Sequence, residues 1–149
     1  MFDGLAKIRE EAELSQEDLA KIIGVDRSNI SKWERGKEII PLKHLNTYAN
    51  YFDVSMDYLL NLSKIRNYNR VNHNLDRKIV GMRIRKVRNK YNLTLRELAK
   101  VLNTSSSTIY AYEIGKTLIL TSFAYQICLK YNLSLDYLCG RIDAVLINV

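Results

Sequence analysis

The stretch LSQEDLAK at residues 14–21 decides the fold of this chain, because it recurs in changed form as LTLRELAK at residues 93–100. The two stretches lie 79 residues apart, and the same spacing aligns residues 2–63 with residues 81–142 without a gap and with about a quarter of the positions identical. A repeat of this length indicates two copies of one structural unit. The sequence therefore predicts two similar domains in tandem.

The charge distribution separates the two copies. Residues 1–63, the predicted first domain, carry a net charge of −3, whereas residues 79–149, the predicted second domain, carry +6. Residues 64–78 carry +4 and show little apolar periodicity, so they are predicted to be a basic, polar linker. The net charge of +7 for the whole chain suggests a polyanionic partner.

The composition predicts an all-α globular protein. Hydrophobic residues make up 47% of the 149 residues, and one proline and six glycines are the only strong helix breakers. No apolar run approaches the roughly 20 residues of a transmembrane helix, and the N-terminus lacks the pattern of a secretory signal. The sequence thus predicts a cytoplasmic protein without a membrane partner.

Few side chains have the spacing that a metal-binding or catalytic site requires. Cys128 and Cys139 are expected to fill the core, and with His44 and His73 they form no clustered ligand set, so neither a metal site nor a cofactor is predicted. Neither copy shows a nucleophile elbow, a phosphate-binding glycine loop or a plausible pair of carboxylates. We therefore expect no catalytic residues and no enzymatic activity.

Start signals of helices agree between the copies. Ser15 with Asp18, and Thr94 with Glu97, have the spacing of a capping box, in which a hydroxyl and a carboxylate satisfy free backbone N–H groups. A second helix is expected to begin there in each of two five-helix units. Apolar residues at helical spacing in this helix are expected to face the core: Leu19, Ile22, Ile23, Leu98, Val101 and Leu102.

The residues after the second helix are typical of a helix end followed by the start of a third helix. Gly24 or Asn103 is expected to end the second helix, since both tolerate a left-handed conformation. Asp26 or Ser105 is expected to cap a third helix. The sequence of each copy therefore predicts two helices joined by a short turn.

This pattern resembles the lambda-repressor-like helix-turn-helix proteins of the phage-repressor type, the Cro/C1-type and Xre family. The first copy matches in SQEDLA at residues 15–20, in Val25, in ISKWERGK at residues 30–37 and in SMDYLL at residues 55–60. The second copy keeps the frame but diverges at exposed positions. The resemblance implies two tandem five-helix helix-turn-helix domains.

The resemblance also implies a DNA interface. In the family the third helix lies in the major groove, while residues near the start of the second helix and after the third hold phosphates. The implied base-reading residues in this sequence are Arg27, Ser28, Asn29 and Lys32. The implied phosphate or positioning contacts are Gln16, Arg35 and Lys37. Arg9 with Glu34, and Arg88 with Glu113, are implied to pair inside the fold.

In the second copy the implied interface is weaker. The equivalent and secondary DNA-binding residues are Ser106, Ser107, Thr108 and Lys116, whose hydroxyls and single ammonium can still touch phosphates or bases. Leu95 replaces Gln16 and Ile114 replaces Arg35, and with Tyr110 they predict a stickier surface that suits a protein partner.

Two further features leave alternatives open. The basic cluster in the first helix of the second copy is either a phosphate-binding stripe or a solvated helix face, and it comprises Arg83, Arg85, Lys86, Arg88 and Lys90. The apolar tail at residues 144–149 either packs on its own domain or pairs across a dimer.

The sequence therefore predicts a sequence-specific, double-stranded-DNA-binding transcriptional regulator. The leading hypothesis is a repressor of phage or mobile-element type that occupies operator DNA. The alternative is that the first domain binds DNA while the second is a module for dimerisation or for a regulatory protein.

Overall fold

A computed structural model describes residues 3–69, 72 and 74–144 of the chain. These residues form α-helices joined by short turns and contain no β-strand. The chain divides after Asn69 into two compact units, called domain 1 and domain 2 below. Domain 1 contains α1 (Asp3–Glu11), α2 (Gln16–Ile23), α3 (Arg27–Glu34), α4 (Leu42–Phe52) and α5 (Met56–Leu59). Domain 2 contains α6 (Arg77–Lys90), α7 (Leu95–Leu102), α8 (Ser106–Glu113), α9 (Thr121–Tyr131) and α10 (Leu135–Leu138).

The starts of α2 and α7 are capping boxes, as predicted. The amide of Asp18 donates to Ser15 Oγ at 3.0 Å, and the amide of Ser15 donates to Asp18 Oδ2 at 3.0 Å. In α7 the amide of Glu97 donates to Thr94 Oγ1 at 3.1 Å, and the amide of Thr94 donates to Glu97 Oε1 at 3.0 Å. Four backbone donors that the helices cannot satisfy internally are thus bonded.

The predicted turns are also confirmed, with one exception. Gly24 and Asn103 end α2 and α7 in the left-handed region, with φ of 75° and 56°. Ser105 caps α8, because its hydroxyl accepts from the amide of Thr108. Asp26 occupies the same position before α3, but its side chain makes no capping hydrogen bond. α3 therefore begins without the side-chain cap that the sequence predicts.

Each core is built around the second and third helices of its domain. Leu19, Ile30 and Trp33 are buried in domain 1, and their counterparts are buried in domain 2. Ile23, also predicted to face the core, is only half-buried. Two other predicted core residues are exposed: Ile22 by 44% and Val101 by 37%. Both lie at the same repeat position, on the edge of an apolar stripe that a neighbouring helix covers only partly.

One ion pair recurs in both domains, as the resemblance implies. The Arg9 guanidinium donates to both carboxylate oxygens of Glu34 at 2.7 and 2.8 Å and to the carbonyl of Leu14 at 2.8 Å. Arg88 binds Glu113 at 2.6 and 2.9 Å in the same way. These hydrogen bonds raise the pKa of both arginines. Each pair fastens the first helix of its domain to the third.

Part of the segment predicted to be linker packs on domain 1. The amide of Ser55 donates to the carbonyl of Arg66 at 2.7 Å, and the Ser55 hydroxyl donates to the carbonyl of Ile65 at 2.9 Å. The Tyr68 hydroxyl donates to the buried carboxylate of Asp57 at 3.0 Å. Residues 64–68 therefore cover the N-terminal end of α5, and we call them the α5 strap. Domain 2 in turn begins its first helix at Arg77, inside the predicted linker.

The remaining predictions concern cysteines, metals and membranes. Cys128 and Cys139 are buried, as expected, and are not joined by a disulfide. Over the described ranges, no three histidine, cysteine or carboxylate side chains come together as metal ligands would. No described helix combines the length and apolar character that crossing a bilayer requires. His73 and residues 145–149 of the apolar tail lie outside the described residues.

Candidate nucleic-acid interface

The buried side of α3 fixes which of its side chains point outward. Ile30 and Trp33 face the core, so the first turn of the helix presents Arg27 and Ser28 to solvent and leaves Asn29 half-buried. These are three of the four residues that the resemblance implies as base readers. They lie together in the first turn of α3.

The fourth implied base reader has a local partner. Lys32 Nζ lies 3.4 Å from Glu38 Oε1, and both side chains remain about half exposed. An exposed pair of this kind contributes at most about 1 kcal/mol. Lys32 is therefore available to exchange Glu38 for another anion.

The implied phosphate contacts lie at the two ends of the helix-turn-helix. Gln16 is the first residue of α2, and its side-chain amide donates to Glu34 Oε1 at 3.2 Å. Arg35 and Lys37 follow α3 and are exposed, with Arg35 Nε donating weakly to the carbonyl of Ser31 at 3.4 Å. Arg9 neutralises Glu34, so the exposed charge beside α3 comes mainly from cations.

In domain 2 the equivalent helix end is uncharged. Ser106 and Ser107 are exposed and Thr108 is half-buried. The Ser105 hydroxyl lies 3.0 Å from Ser107 Oγ and 2.8 Å from Thr108 Oγ1, so these groups largely satisfy one another. Lys116, the last secondary residue, is exposed beyond the end of α8.

The basic cluster of α6 is only partly a surface stripe. Arg83 donates to the carbonyls of Tyr137 and Ile142 and pairs with Asp143 at 3.0 Å, so it holds the end of domain 2 together. Arg88 is bound to Glu113, as expected. Only Arg85, Lys86 and Lys90 of the five remain exposed. Arg83 is therefore removed from the predicted stripe, from which the implied ion pair with Glu113 already sets Arg88 aside.

Two cations at the start of α6 lie in the predicted linker and have no role predicted from the sequence. Arg77 Nη1 donates to the carbonyl of Lys116 at 3.1 Å, and a methyl group on Gly115 would come within 3.0 Å of Lys78 Cα. Arg77 and Lys78 thus lie beside the end of α8. They were assigned to the linker, and only the Asp76 cap could have shown that a helix begins there.

Comparison with known proteins identifies the two units. A family described as "Helix-turn-helix" matches residues 5–59, and one described as "Helix-turn-helix domain" matches residues 81–143. The two matches together cover about four fifths of the chain. The chain belongs to the helix-turn-helix family. Both helix-turn-helix units are thus recognised independently of their mutual similarity.

Individual relatives of this helix-turn-helix protein match part of it. The HTH-type transcriptional activator BcrR of Enterococcus faecalis is 35% identical over 79 residues, which cover 43% of this chain and 39% of BcrR. Two solved structures of the clp gene regulator ClgR of Corynebacterium glutamicum are 25% identical over 44% of this chain. Their TM-scores are 0.39 and 0.40, and the match covers 84% and 69% of the ClgR chains. The chain spans about two fifths of the length of its curated relative.

Proposed function

We propose that this helix-turn-helix protein binds a specific sequence in double-stranded DNA through α3 of domain 1. The carrying observation is the exposed polar end of α3, where Arg27, Ser28 and Asn29 project beside Lys32. An α-helix fits the major groove, where Arg can bind guanine and Asn can bind adenine through paired hydrogen bonds. Gln16, Arg35 and Lys37 at the ends of the motif would hold phosphates and set the orientation of the helix.

The base-reading role is tested by substituting Arg27 and Lys32. Sites are first selected from random duplexes with the wild-type chain, and binding is then measured at fixed salt. Arg27→Ala with Lys32→Ala should weaken binding to the selected site by about tenfold or more and bring it close to binding of unrelated DNA, since each good base contact is worth about 1–3 kcal/mol.

The matched control is Lys21→Ala. Lys21 lies on the exposed side of α2 and pairs with Glu17 at 3.9 Å, away from the proposed interface. Its loss removes one positive charge and should leave sequence preference unchanged. An unaltered footprint of the Arg27/Lys32 variant would refute this interface.

We further propose that binding represses transcription by occupying operator DNA, as in the phage-repressor type that the sequence resembles. BcrR is described as an activator, so the sign of regulation needs its own measurement. A reporter placed behind the selected site should rise in expression when the protein is removed. A fall in reporter expression would show that the protein activates transcription, and it would not contradict DNA binding.

A second function is favoured for domain 2. At the positions of Gln16 and Arg35 it has Leu95 and Ile114, which cannot donate hydrogen bonds to phosphates. We propose that domain 2 mainly binds protein, either a second copy of this chain or a regulatory partner, while Ser106, Ser107, Thr108 and Lys116 supply at most secondary DNA contacts.

A further inference from the structure

The outward side of α8 is apolar where the equivalent side of α3 is polar. Tyr110 and Ile114 are four residues apart, so they lie on one side of the helix end, and they are 54% and 49% exposed. Their counterparts in domain 1 are Ser31 and Arg35. Neighbouring large apolar side chains that form one exposed patch are typical of a contact surface, whereas single exposed ones are common.

The apolar surface extends towards α7. Leu95 is the first residue of that helix and is half-buried. Its counterpart Gln16 reaches the carboxylate of Glu34 at the end of α3, so the repeat places Leu95 beside the end of α8. We call Leu95, Tyr110 and Ile114 the apolar strip.

Exposed cations border the strip. Arg77 donates a hydrogen bond to the carbonyl of Lys116, and Lys78 lies against Gly115. Gly115 and Lys116 directly follow Ile114. Arg96 follows Leu95 on α7 and is exposed. We call Arg77, Lys78, Arg96 and Lys116 the basic rim.

The acidic residues near the rim are already engaged. Glu113 is held by Arg88, and its side chain is only 5% exposed. The Asp76 carboxylate accepts from the amide of Lys78 at 2.9 Å, and Glu97 accepts from the amide of Thr94. Arg88 neutralises Glu113, whereas Asp76 and Glu97 keep their charges. The four cations of the rim outnumber these two carboxylates, so the border of the strip has an excess of positive charge.

We propose that the apolar strip and its basic rim bind an acidic amphipathic segment of a partner protein. Apolar side chains of that segment cover Tyr110 and Ile114, and its carboxylates face the cations of the rim. The inference rests on the proposed protein-binding function of domain 2, and it names the surface and the chemistry of the partner.

Charge complementarity selects this occupant. A second copy using the same strip would form a two-fold interface, which brings the basic rim of one chain towards the identical rim of the other. DNA would satisfy the rim but would leave Leu95 and Ile114 against phosphates, which they cannot bond. An acidic amphipathic segment satisfies both the strip and the rim.

The test uses the full chain and two labelled synthetic peptides. Both are amphipathic helices with the same leucines and isoleucines on one side, and they carry either glutamates or lysines on the other. The glutamate peptide should bind at least about tenfold more tightly than the lysine peptide, a difference of about 1.4 kcal/mol. Amide chemical-shift changes should centre on Tyr110 and Ile114.

Three variants locate the contact. Tyr110→Ser with Ile114→Ser should weaken binding of the glutamate peptide by about tenfold or more. Lys78→Gln with Lys116→Gln should weaken it less and reduce its dependence on salt. Leu129→Ser, at an apolar residue of α9 that is also exposed, should leave binding unchanged. Amide spectra establish that each variant is folded.

Several results would overturn the proposal. Equal binding of both peptides, or no binding of either, would refute the proposal of an acidic partner. A wild-type dimer in sedimentation that the Tyr110/Ile114 variant dissociates assigns the strip to a second copy. Loss of operator binding in that variant assigns the strip to DNA. Operator binding through Arg27 and Lys32 is measured separately, so failure here is distinguishable from failure of DNA recognition.

Discussion

At the scale of single residues, the Arg9–Glu34 ion pair links stability to the proposed interface. The arginine side chain is 12% exposed and the carboxylate 5%, so removing either partner leaves a largely buried charge. The sequence implied this pair through its resemblance to helix-turn-helix proteins, and Arg and Glu stand at the same repeat positions in both domains. It could not predict that Gln16 also bonds Glu34, since Leu95 interrupts that pattern in domain 2.

Arg9→Met should destabilise domain 1 by about 3 kcal/mol, because Glu34 remains charged and buried without its partner. Urea denaturation followed by circular dichroism measures the effect. Lys7→Met is the control, since Lys7 is an exposed cation on the same helix and its loss should cost less than about 0.5 kcal/mol. Equal effects of the two substitutions would contradict the assigned role of the pair.

At the scale of elements, the capping boxes of α2 and α7 were the most predictable feature. A capping box needs only two residues at fixed spacing, so local sequence suffices to specify it. Burial of the helix sides was less predictable, because it depends on how much of an eight-residue helix its neighbours cover. Ile22 and Val101 fit the helical periodicity and still face solvent.

Capping predicts a pH dependence. The amide and hydroxyl of Ser15 hold the pKa of Asp18 below its usual range, and Thr94 lowers the pKa of Glu97 in the same way. A lowered carboxyl pKa contributes stability that is complete above the ordinary carboxyl pKa and is lost as the pH falls through the lowered value. Thermal unfolding from pH 6 to pH 3 should therefore show a smaller loss of stability in Asp18→Asn than in the wild type.

Glu17→Gln provides the control for that measurement. Glu17 is an exposed carboxylate beside Asp18, with Lys21 at 3.9 Å and no capping bond. Its substitution should leave the slope of stability against pH close to that of the wild type. A parallel flattening in both variants would show that general charge, rather than the cap, sets the slope.

At the scale of the whole molecule, the 79-residue repeat predicted the tandem arrangement, and the composition predicted the all-helical class. The extent of domain 1 was harder to predict, because the α5 strap is polar, lacks periodicity and carries the positive charge expected of a linker. Its contacts use the carbonyls of Ile65 and Arg66, the Tyr68 hydroxyl and an exposed ion pair between Arg66 and Glu11 at 3.1 Å, and no local sequence pattern specifies them.

Docking of the α5 strap predicts protection from protease. Trypsin should cleave slowly after Lys64 and Arg66 in the wild-type chain. Tyr68→Phe removes the hydroxyl that donates to buried Asp57, at a cost of about 1–3 kcal/mol, and should speed that cleavage by about tenfold. Asn67→Ala, at an exposed position of the same segment, should not. Rapid cleavage of the wild type would show that the strap is not held in solution.

Trp33 is the only tryptophan of the chain, and it is buried in α3 of domain 1. Its ring centroid lies 5.2 Å from that of His44 and 6.4 Å from that of Tyr48. Fluorescence excited at the red edge of the indole band therefore comes from domain 1 alone. This fluorescence does not report unfolding of domain 2, and it comes from the helix that carries Arg27 and Lys32. The unlabelled chain therefore contains its own optical probe of the proposed binding to DNA.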